Sequence, residues 1–267
     1  MKNFFKTIKQ KILPAKIPEK EIVAVIASYN NKDWYKKNLD SIFNQKYDNY
    51  KVIYIDDCSK DGTAELVKEY IKLKNQEHRT TLIKNLKNQG ATANRFKGST
   101  MANDNAIVVI IDGDDWLAHN RVFKYINKIY STTYCWLTYG QFRRYPSNKV
   151  GHCKSLDKNQ DFRKMDQWYA SHLRTYYSWL FKKVKKEDLM FNGSFLNVTG
   201  DAAEMLPMLE MAKKHIQFIG KVLYIYNQSH EFNDFKIFPK EQIAMFEYIK
   251  SKNPYKELNE VSRLTFR

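Results

Sequence analysis

Ala106-Ile-Val-Val-Ile-Ile-Asp-Gly-Asp-Asp-Trp116 decides the fold. Ile107 to Ile111 is β-branched throughout, which predicts a strand buried on both faces, as in parallel sheets. The run ends abruptly in three carboxylates, Asp112, Asp114 and Asp115. Side chains at i and i+2 of an extended chain share a face. Asp112 and Asp114 are therefore expected to point the same way at the carboxyl end of the strand. Carboxylates this close repel each other unless a cation lies between them. A hard divalent ion with oxygen ligands, Mn²⁺ or Mg²⁺, is the fitting partner. The competing reading is a plain turn, which Asp-Gly-Asp also suits.

Upstream, short apolar runs alternate with amphipathic ones. Ile22 to Ala27 reads as a strand leading into Ser28-Tyr29-Asn30-Asn31. Asp33 to Asn44 reads as a helix with Trp34, Leu39, Ile42 and Phe43 on its apolar face. Val52 to Ile55 is a second buried strand, ending in Asp56-Asp57-Cys58-Ser59, and Ala64 to Lys74 is a helix. Thr81 to Lys84 is a third strand, and a helix through Arg95 to Met101 follows the loop at Asn88-Gln-Gly90. Such alternation predicts an α/β fold with a mostly parallel sheet. Ligands of such sheets sit at the carboxyl ends of strands. Three strand ends carry polar clusters, at Ser28-Tyr29, Asp56-Asp57 and Asp112–Asp115, and their convergence on one crevice would make a site. Downstream the pattern predicts a helix over Arg121–Thr132, strands over Cys135–Thr138 and Gln141–Arg144, and a buried aromatic segment over Tyr176–Phe181. A helix from Asp201 to Met211, a strand over Lys221–Tyr226 and a last helix over Lys240–Ser251 follow.

Composition excludes several classes. The 267 residues carry a formal charge of +16, but the lysines are spread along the chain. No helix-turn-helix, zinc-finger or RNA-binding signature accompanies them, so nucleic acid is not an expected partner. No run of about 18 apolar residues is present, and Met1 to Lys20 lacks the apolar core of a signal peptide. That basic leader places Phe4, Phe5, Ile8, Ile12 and Leu13 near helical spacing among lysines. It is either an amphipathic helix for a membrane surface or partner, or a helix packed on its own domain or a frayed terminus. Cys58, Cys135 and Cys153 are far apart and read as free thiols in a reducing compartment.

At this point the residues resemble family 2 glycosyltransferases, nucleotide-sugar enzymes with a GT-A fold. Val23-Ala-Val-Ile-Ala-Ser-Tyr-Asn30 looks like the family's opening strand and turn, and Leu39-Asp-Ser-Ile-Phe-Asn-Gln45 like its first helix. Asp56-Asp57-Cys-Ser-Lys-Asp-Gly62 is similar to its Asp-Asp-x-Ser-x-Asp-Gly segment. Gly90, Arg95 and Gly98 resemble its Arg-bearing loop and helix, and Asp112-Gly113-Asp114-Asp115 its Asp-x-Asp region. These five stretches stand in the family's order over residues 22–116. The match then thins until Thr199-Gly-Asp201-Ala202, which resembles the segment bearing the catalytic base and is similar to the bacterial spore-coat type. Pro207 to Ala212 and Tyr224-Ile-Tyr-Asn227 look like a subgroup of bacteria and large DNA viruses. Two departures stand out. Asn94-Arg95-Phe96 replaces the usual Ala-Arg-Asn, and the acidic residue expected two positions after Asp201 is missing, with Glu204 three on.

The resemblance implies a basic leader (1–20), a nucleotide-sugar-binding half (21–118), an acceptor-binding half of the same domain (119–232) and a helical tail (233–267). It implies a metal-dependent, inverting transfer from a UDP-sugar to a glycan or protein-linked acceptor, in the cytoplasm of a bacterium or virus-infected cell. Ser28, Tyr29, Asn30, Asp57, Arg95, Asp112, Gly113 and Asp114 would hold the nucleotide. Tyr29 would lie against uracil, Asp57 would accept its N3–H, and Arg95 would contact either base or diphosphate. Asp114 and Asp115 compete as metal ligand. Asp201 would be the general base, a role compatible with capping the helix it begins. His172 and Arg174 either line the diphosphate pocket or stabilise a core loop, and His230 either reaches the diphosphate or is an exposed loop histidine. The rivals are a sugar-phosphate nucleotidyltransferase, whose early Gly-rich loop is absent, and a non-enzymatic basic nucleic-acid-binding protein.

Overall fold

A computed structural model describes residues 17–229 and 239–259. The leader up to residue 16, His230 and most of the segment between the last strand and the last helix lie outside the described residues.

One sheet of eight strands organises the molecule. Its members are β1 (Ile22–Ser28), β2 (Tyr50–Asp56), β3 (Thr80–Lys84), β4 (Ile107–Asp112), β5 (Trp116–Leu117), β6 (Leu137–Tyr145), β7 (Arg174–Tyr177) and, after a hairpin of β8 (Met190–Phe191) and β9 (Ser194–Phe195), β10 (Ile216–Asn227). The order across the sheet is β3-β2-β1-β4-β7-β6-β10-β5. Strands β3, β2, β1 and β4 are mutually parallel. β7 runs antiparallel between β4 and β6, β10 is parallel to β6, and β5 is antiparallel to β10. The sheet is thus mixed and mostly parallel, and it runs unbroken through both halves of the chain.

The β-branched runs occupy the centre. Every residue of β1 is buried, and Ile107 to Ile111 of β4 are 0% exposed. The helices are α1 (Tyr35–Phe43), α2 (Thr63–Leu73), α3 (Ala91–Met101), α4 (Val122–Thr132), α5 (Ser178–Phe181), α6 (Gly200–Ala212) and α7 (Pro239–Ser251). α3 packs on β1 so closely that a Cβ on Gly98 would lie 2.4 Å from Val25 Cγ1.

The pattern predicts two short strands interrupted near Gly140, whereas β6 runs through it without a break. A Cβ at Gly140 would meet the Ile219 carbonyl oxygen at 3.0 Å, beside a register shift in β10 between Ile219 and Val222. Glycine there accommodates an irregular neighbour instead of ending the strand. β10 also starts earlier than its alternation suggests, because the register shift between Ile219 and Val222 interrupts the period-two pattern. Asn192 and Gly193 both have positive φ at the tip of the β8–β9 hairpin, the backbone a two-residue turn demands.

The Gly98 contact yields a test. Gly98→Ala is expected to lower stability by about 1–3 kcal/mol through overpacking. Val25→Ala should relieve part of that loss, so denaturant midpoints of the two single variants and the double variant should not add.

Candidate active site

β1, β2 and β4 are parallel, so their carboxyl ends open on one edge. Ser28, at the end of β1, is buried, and its Oγ accepts hydrogen bonds from Asn31 Nδ2 at 2.9 Å and Tyr54 Oη at 2.8 Å. Gly113 lies against this pair: a Cβ there would fall 2.6 Å from both Ser28 and Asn31. Asn30 has a left-handed φ of 53°. Its N–H donates to Ser59 Oγ and its Oδ1 accepts from Lys60 N, both at 2.9 Å, which stitches the loops after β1 and β2 together. Tyr29 stands at the rim with 36% of its surface exposed.

Asp56 and Asp57 divide their tasks. Asp56 is fully buried and its Oδ2 accepts from Ser59 N at 3.0 Å, so it shapes the turn. Asp57 Oδ1 accepts from Asn85 Nδ2 and Gln89 N, both at 2.9 Å, and Oδ2 accepts from Gly90 N at 2.8 Å. Asp57 therefore holds the loop that starts α3, and one acceptor direction on Oδ2 remains.

The acidic cluster differs from the alternation argument. Strand geometry stops at Asp112, and a turn follows in which Asp115 N donates to Asp112 O at 3.1 Å. The turn brings Asp112 together with Asp115 instead of Asp114. Asn38 Nδ2 braces it, donating to the carbonyls of Asp112 at 3.0 Å and Asp115 at 2.7 Å. Asn227, at the end of β10, donates its N–H to Asp115 Oδ1 at 2.6 Å and its Nδ2 to the Asp114 carbonyl at 3.2 Å. Asp112, Asp115 and His172 each offer a ligand atom, all within 4.8 Å of one another.

The state of these groups suits a cation. Asp115 is fully buried and its Oδ2 has no hydrogen-bond partner among the described residues. The Tyr224 hydroxyl stands beside the Asp115 carboxyl; it accepts the Asp112 N–H at 3.0 Å and keeps its own proton to donate. Burial, then the neighbouring Asp114 and Asp112, push the Asp115 carboxyl well above the usual carboxylate range. For Asp112 burial works the same way, but Arg174 and Arg95 outweigh it and hold its carboxyl below that range. His172 stacks on Tyr224 at 4.7 Å, its Nδ1 has no hydrogen-bond partner among the described residues, and burial followed by Arg174 lowers its imidazole pKa to about 4. It is thus a neutral imidazole with an available nitrogen.

Two guanidiniums flank the cluster. Arg95 NH1 lies 3.6 Å from Asp112 Oδ1 and Arg174 NH2 lies 3.6 Å from Asp112 Oδ2. Arg95 Nε also donates to Glu204 Oε1 at 2.7 Å. Burial alone would lower the Arg95 guanidinium, but Glu204 and Asp112 outweigh it, and the group is held firmly charged. Arg174 is 1% exposed, and its Nε and NH1 have no hydrogen-bond partner among the described residues. NH1 lies 4.0 Å from Asp201 Oδ2. Asp201 sits in the first turn of α6, behind Thr199 as the capping position, and neither residue makes a side-chain cap. Its Oδ2 accepts from Trp168 Nε1 at 3.0 Å.

The structure thus brings Asp112, Asp115, His172, Arg95, Arg174 and Asp201 together. Asp114 is outside the three-ligand group, and His230 lies outside the described residues. Glu204 is spent on Arg95. Phe96, where the family has a polar residue, packs between Phe181 at 6.0 Å and Phe195 at 5.5 Å. Asn38, Tyr224, Asn227 and Trp168 were not singled out as site residues by sequence. Asn38, with no apolar role on α1, carries the one signal that could have found it.

A mixed sheet with this crevice is the GT-A fold of glycosyltransferases. Residues 23–188, more than half of the chain, match glycosyl transferase family 2. The chain belongs to that family. It is 31% identical over 109 residues to glycosyltransferase GlyA of Streptococcus pneumoniae, which covers 41% of this chain and 15% of that protein. It is 31% identical over 98 residues to TuaG of Bacillus subtilis, named for teichuronic acid biosynthesis, which covers 36% of this chain and 38% of that protein. The matched stretches thus span well under half of either relative. The fold resembles S. aureus TarS solved with UDP-GlcNAc, with a TM-score of 0.67, 18% identity and coverage of 91% of this chain and 69% of that one. It also resembles the Pyrobaculum calidifontis mannosyltransferase PcManGT, solved with GDP-Man and Mn²⁺, with a TM-score of 0.61, 15% identity and coverage of 88% and 65%. No helix among the described residues is long and apolar enough to cross a membrane.

Glu204 gives the test of this arrangement. Glu204→Leu leaves the Arg95 guanidinium without its closest partner, and breaking such a buried pair from one side costs roughly 3–5 kcal/mol. Chemical denaturation should show that loss, and Arg95→Leu/Glu204→Leu should recover much of it.

Proposed function

We propose that this chain transfers a sugar from a UDP-sugar to a hydroxyl of a glycan or glycoprotein acceptor, with inversion and with Mn²⁺ or Mg²⁺ at the site. The carrying observation is the group Asp112, Asp115 and His172 within 4.8 Å, flanked by two buried arginines. Two carboxylates and a neutral imidazole form a donor set that Mn²⁺ accepts readily. Arg174, with two nitrogens lacking hydrogen-bond partners among the described residues, fits a diphosphate that would fill them. Nucleotide-sugar complexes among the fold neighbours support this reading.

In the reaction, Tyr29 offers its ring to the uracil from the rim, and the remaining acceptor direction of Asp57 meets the uracil N3–H. Ser28, Asn30 and Gly113 form the wall between them, and Asp114 faces the ribose side. Arg95 and Arg174 orient the diphosphate. Asp112, Asp115 and His172 would hold the divalent ion, which would supply neutralising charge for the departing diphosphate. Asp201 takes the proton of the attacking hydroxyl, and a single displacement with one base inverts the anomeric centre. The three cysteines are unpaired, which supports a reducing, cytoplasmic compartment.

UDP with Mn²⁺ is expected to raise the melting midpoint, by about 2.7 kcal/mol of stabilisation at 100 times its dissociation constant. A shift with GDP but none with UDP would sink the uridine assignment. Because the ion binds the deprotonated carboxylate, and the Asp115 carboxyl is raised in the folded protein, binding should release a proton. The Mn²⁺-dependent part of the shift should therefore shrink as pH falls through that raised value, while metal-free UDP binding should change less.

Asp201→Asn isolates the base. Asn still accepts the Trp168 N–H, and Thr199, not Asp201, occupies the capping position. Folding and UDP affinity should stay near wild type. UDP release from a UDP-sugar should fall about 10²–10⁴-fold. A normal rate in this variant would place the base elsewhere.

A further inference from the structure

Asp201 is held in an unusual way for a carboxylate near two arginines. Arg174 NH1 approaches Oδ2 only to 4.0 Å, which gives charge but no directional bond. The one hydrogen bond to that carboxylate among the described residues comes from the indole N–H of Trp168, at 3.0 Å to the same oxygen. Oδ1 is left with neither contact.

Trp168 is itself fixed from outside the crevice. It lies between the short 3-10 turn Phe162–Lys164 and β7, on a segment that carries no sheet pairing before Arg174. Its carbonyl oxygen pairs with His152 Nε2 at 3.0 Å. Its ring meets Phe246 of α7 edge-on, with centroids 6.1 Å apart. α7 is in turn tied to this segment, because Lys250 Nζ donates to Met165 O at 3.2 Å and Arg163 NH1 donates to Ile249 O at 2.7 Å. A chain of contacts therefore runs from the C-terminal helix through one indole to one carboxylate oxygen.

We infer that Trp168 is a positioning residue: its indole N–H occupies Oδ2 of Asp201 and so presents Oδ1 to the attacking hydroxyl. The inference rests on Asp201 being the base. A free carboxylate on the first turn of a helix samples several rotamers, and proton transfer needs the accepting oxygen within hydrogen-bond reach of the attacking one. Anchoring one oxygen through a rigid donor removes that freedom. A tryptophan serving only to pack against Phe246 has no need to direct its N–H at the carboxylate. Trp168 is not required to touch donor or acceptor in this role.

The test compares Trp168→Phe, Trp168→His and Asp201→Asn, and the Trp168→Phe/Asp201→Asn double variant. UDP released to water with Mn²⁺ is measured from UDP-glucose, UDP-galactose, UDP-GlcNAc and UDP-GalNAc, using whichever wild-type protein hydrolyses fastest. Phe keeps the contact with Phe246 and loses the N–H. Expected is a fall in kcat of about tenfold or more from misplacement, with donor KM within about twofold of wild type. Trp168→His, which retains a ring N–H, should recover part of the rate. In the Asp201→Asn background Trp168→Phe should have no further effect, because the two act as one unit. Full kcat in Trp168→Phe overturns the inference, and so does an equal fall in both backgrounds, which would mark a packing role. A slow Asp201→Asn with a fast Trp168→Phe defeats only the positioning role, whereas a fast Asp201→Asn defeats the base assignment beneath it. If Trp168→Phe folds poorly by thermal midpoint, Trp168→Tyr is read in its place by the same criteria.

Discussion

Two guanidiniums buried at the end of a sheet are the constraint on which this structure depends. Removing a charge from water costs several kcal/mol unless opposite charge and hydrogen bonds replace the solvent. Arg174 comes from β7 and Arg95 from α3, and both are nearly inaccessible. Asp112 from β4 lies between them, Glu204 from α6 closes on Arg95, and Asp201 from the same helix stands off Arg174. Four elements are thereby fixed to one another by charge. α6 must sit against α3: a Cβ on Gly200 would fall 1.9 Å from Thr92 Oγ1. The balance is incomplete for Arg174, whose Nε and NH1 lack hydrogen-bond partners among the described residues, and an incompletely satisfied buried cation is a standing attraction for an anion.

The first half of the fold was legible because its signals are hydrophobic and local. β1, β2 and β4 are apolar runs that end in polar turns, and helices between parallel strands follow from connection length. The placement of the carboxylates was less legible. Period-two reasoning pairs Asp112 with Asp114 as long as the strand continues, but the strand ends at Asp112 and an i to i+3 turn brings in Asp115 instead. The second half hid its key strand. β7 is four residues long and begins with Arg174 and Thr175, polar groups that hydropathy assigns to a loop. They are buried because their partners are polar too: the Thr175 hydroxyl pairs with Tyr130 at 2.9 Å and Thr138 at 2.7 Å. The approach of His172 to Asp112 depends on β7 lying beside β4, a long-range pairing that spacing along the chain does not reveal.

The charge of the chain and the charge of its site have opposite signs. The protein carries +16 overall, yet the crevice gathers Asp112, Asp114, Asp115, Asp201 and Glu204 around two arginines. A net positive field draws anionic ligands from a distance and raises their encounter rate. At close range the carboxylates oppose a diphosphate. An ion bound to the carboxylates, as proposed above, would relieve that opposition. Burial first, and then the neighbouring Asp114 and Asp112, raise the Asp115 carboxyl.

The match to family 2 ends at residue 188, and Asp201 and Glu204 lie beyond it. Three buried or half-buried contacts carry the site across that boundary: Arg95 with Glu204, Trp168 with Asp201, and Arg163 with Glu210. In the last, Arg163 Nε and NH2 meet the two Glu210 oxygens at 2.6 and 2.8 Å, and Tyr255 N adds a third bond to Glu210 at 2.9 Å. All three acceptors are on α6, spaced so that the helix is pinned at its start, one turn in and near its end. A rigid helix pinned at three levels can neither slide nor rotate. The position of Asp201 relative to Arg174 is thereby fixed. The three partners stand on α3 and on the segment just before β7, so α6 is held by elements that are far apart along the chain.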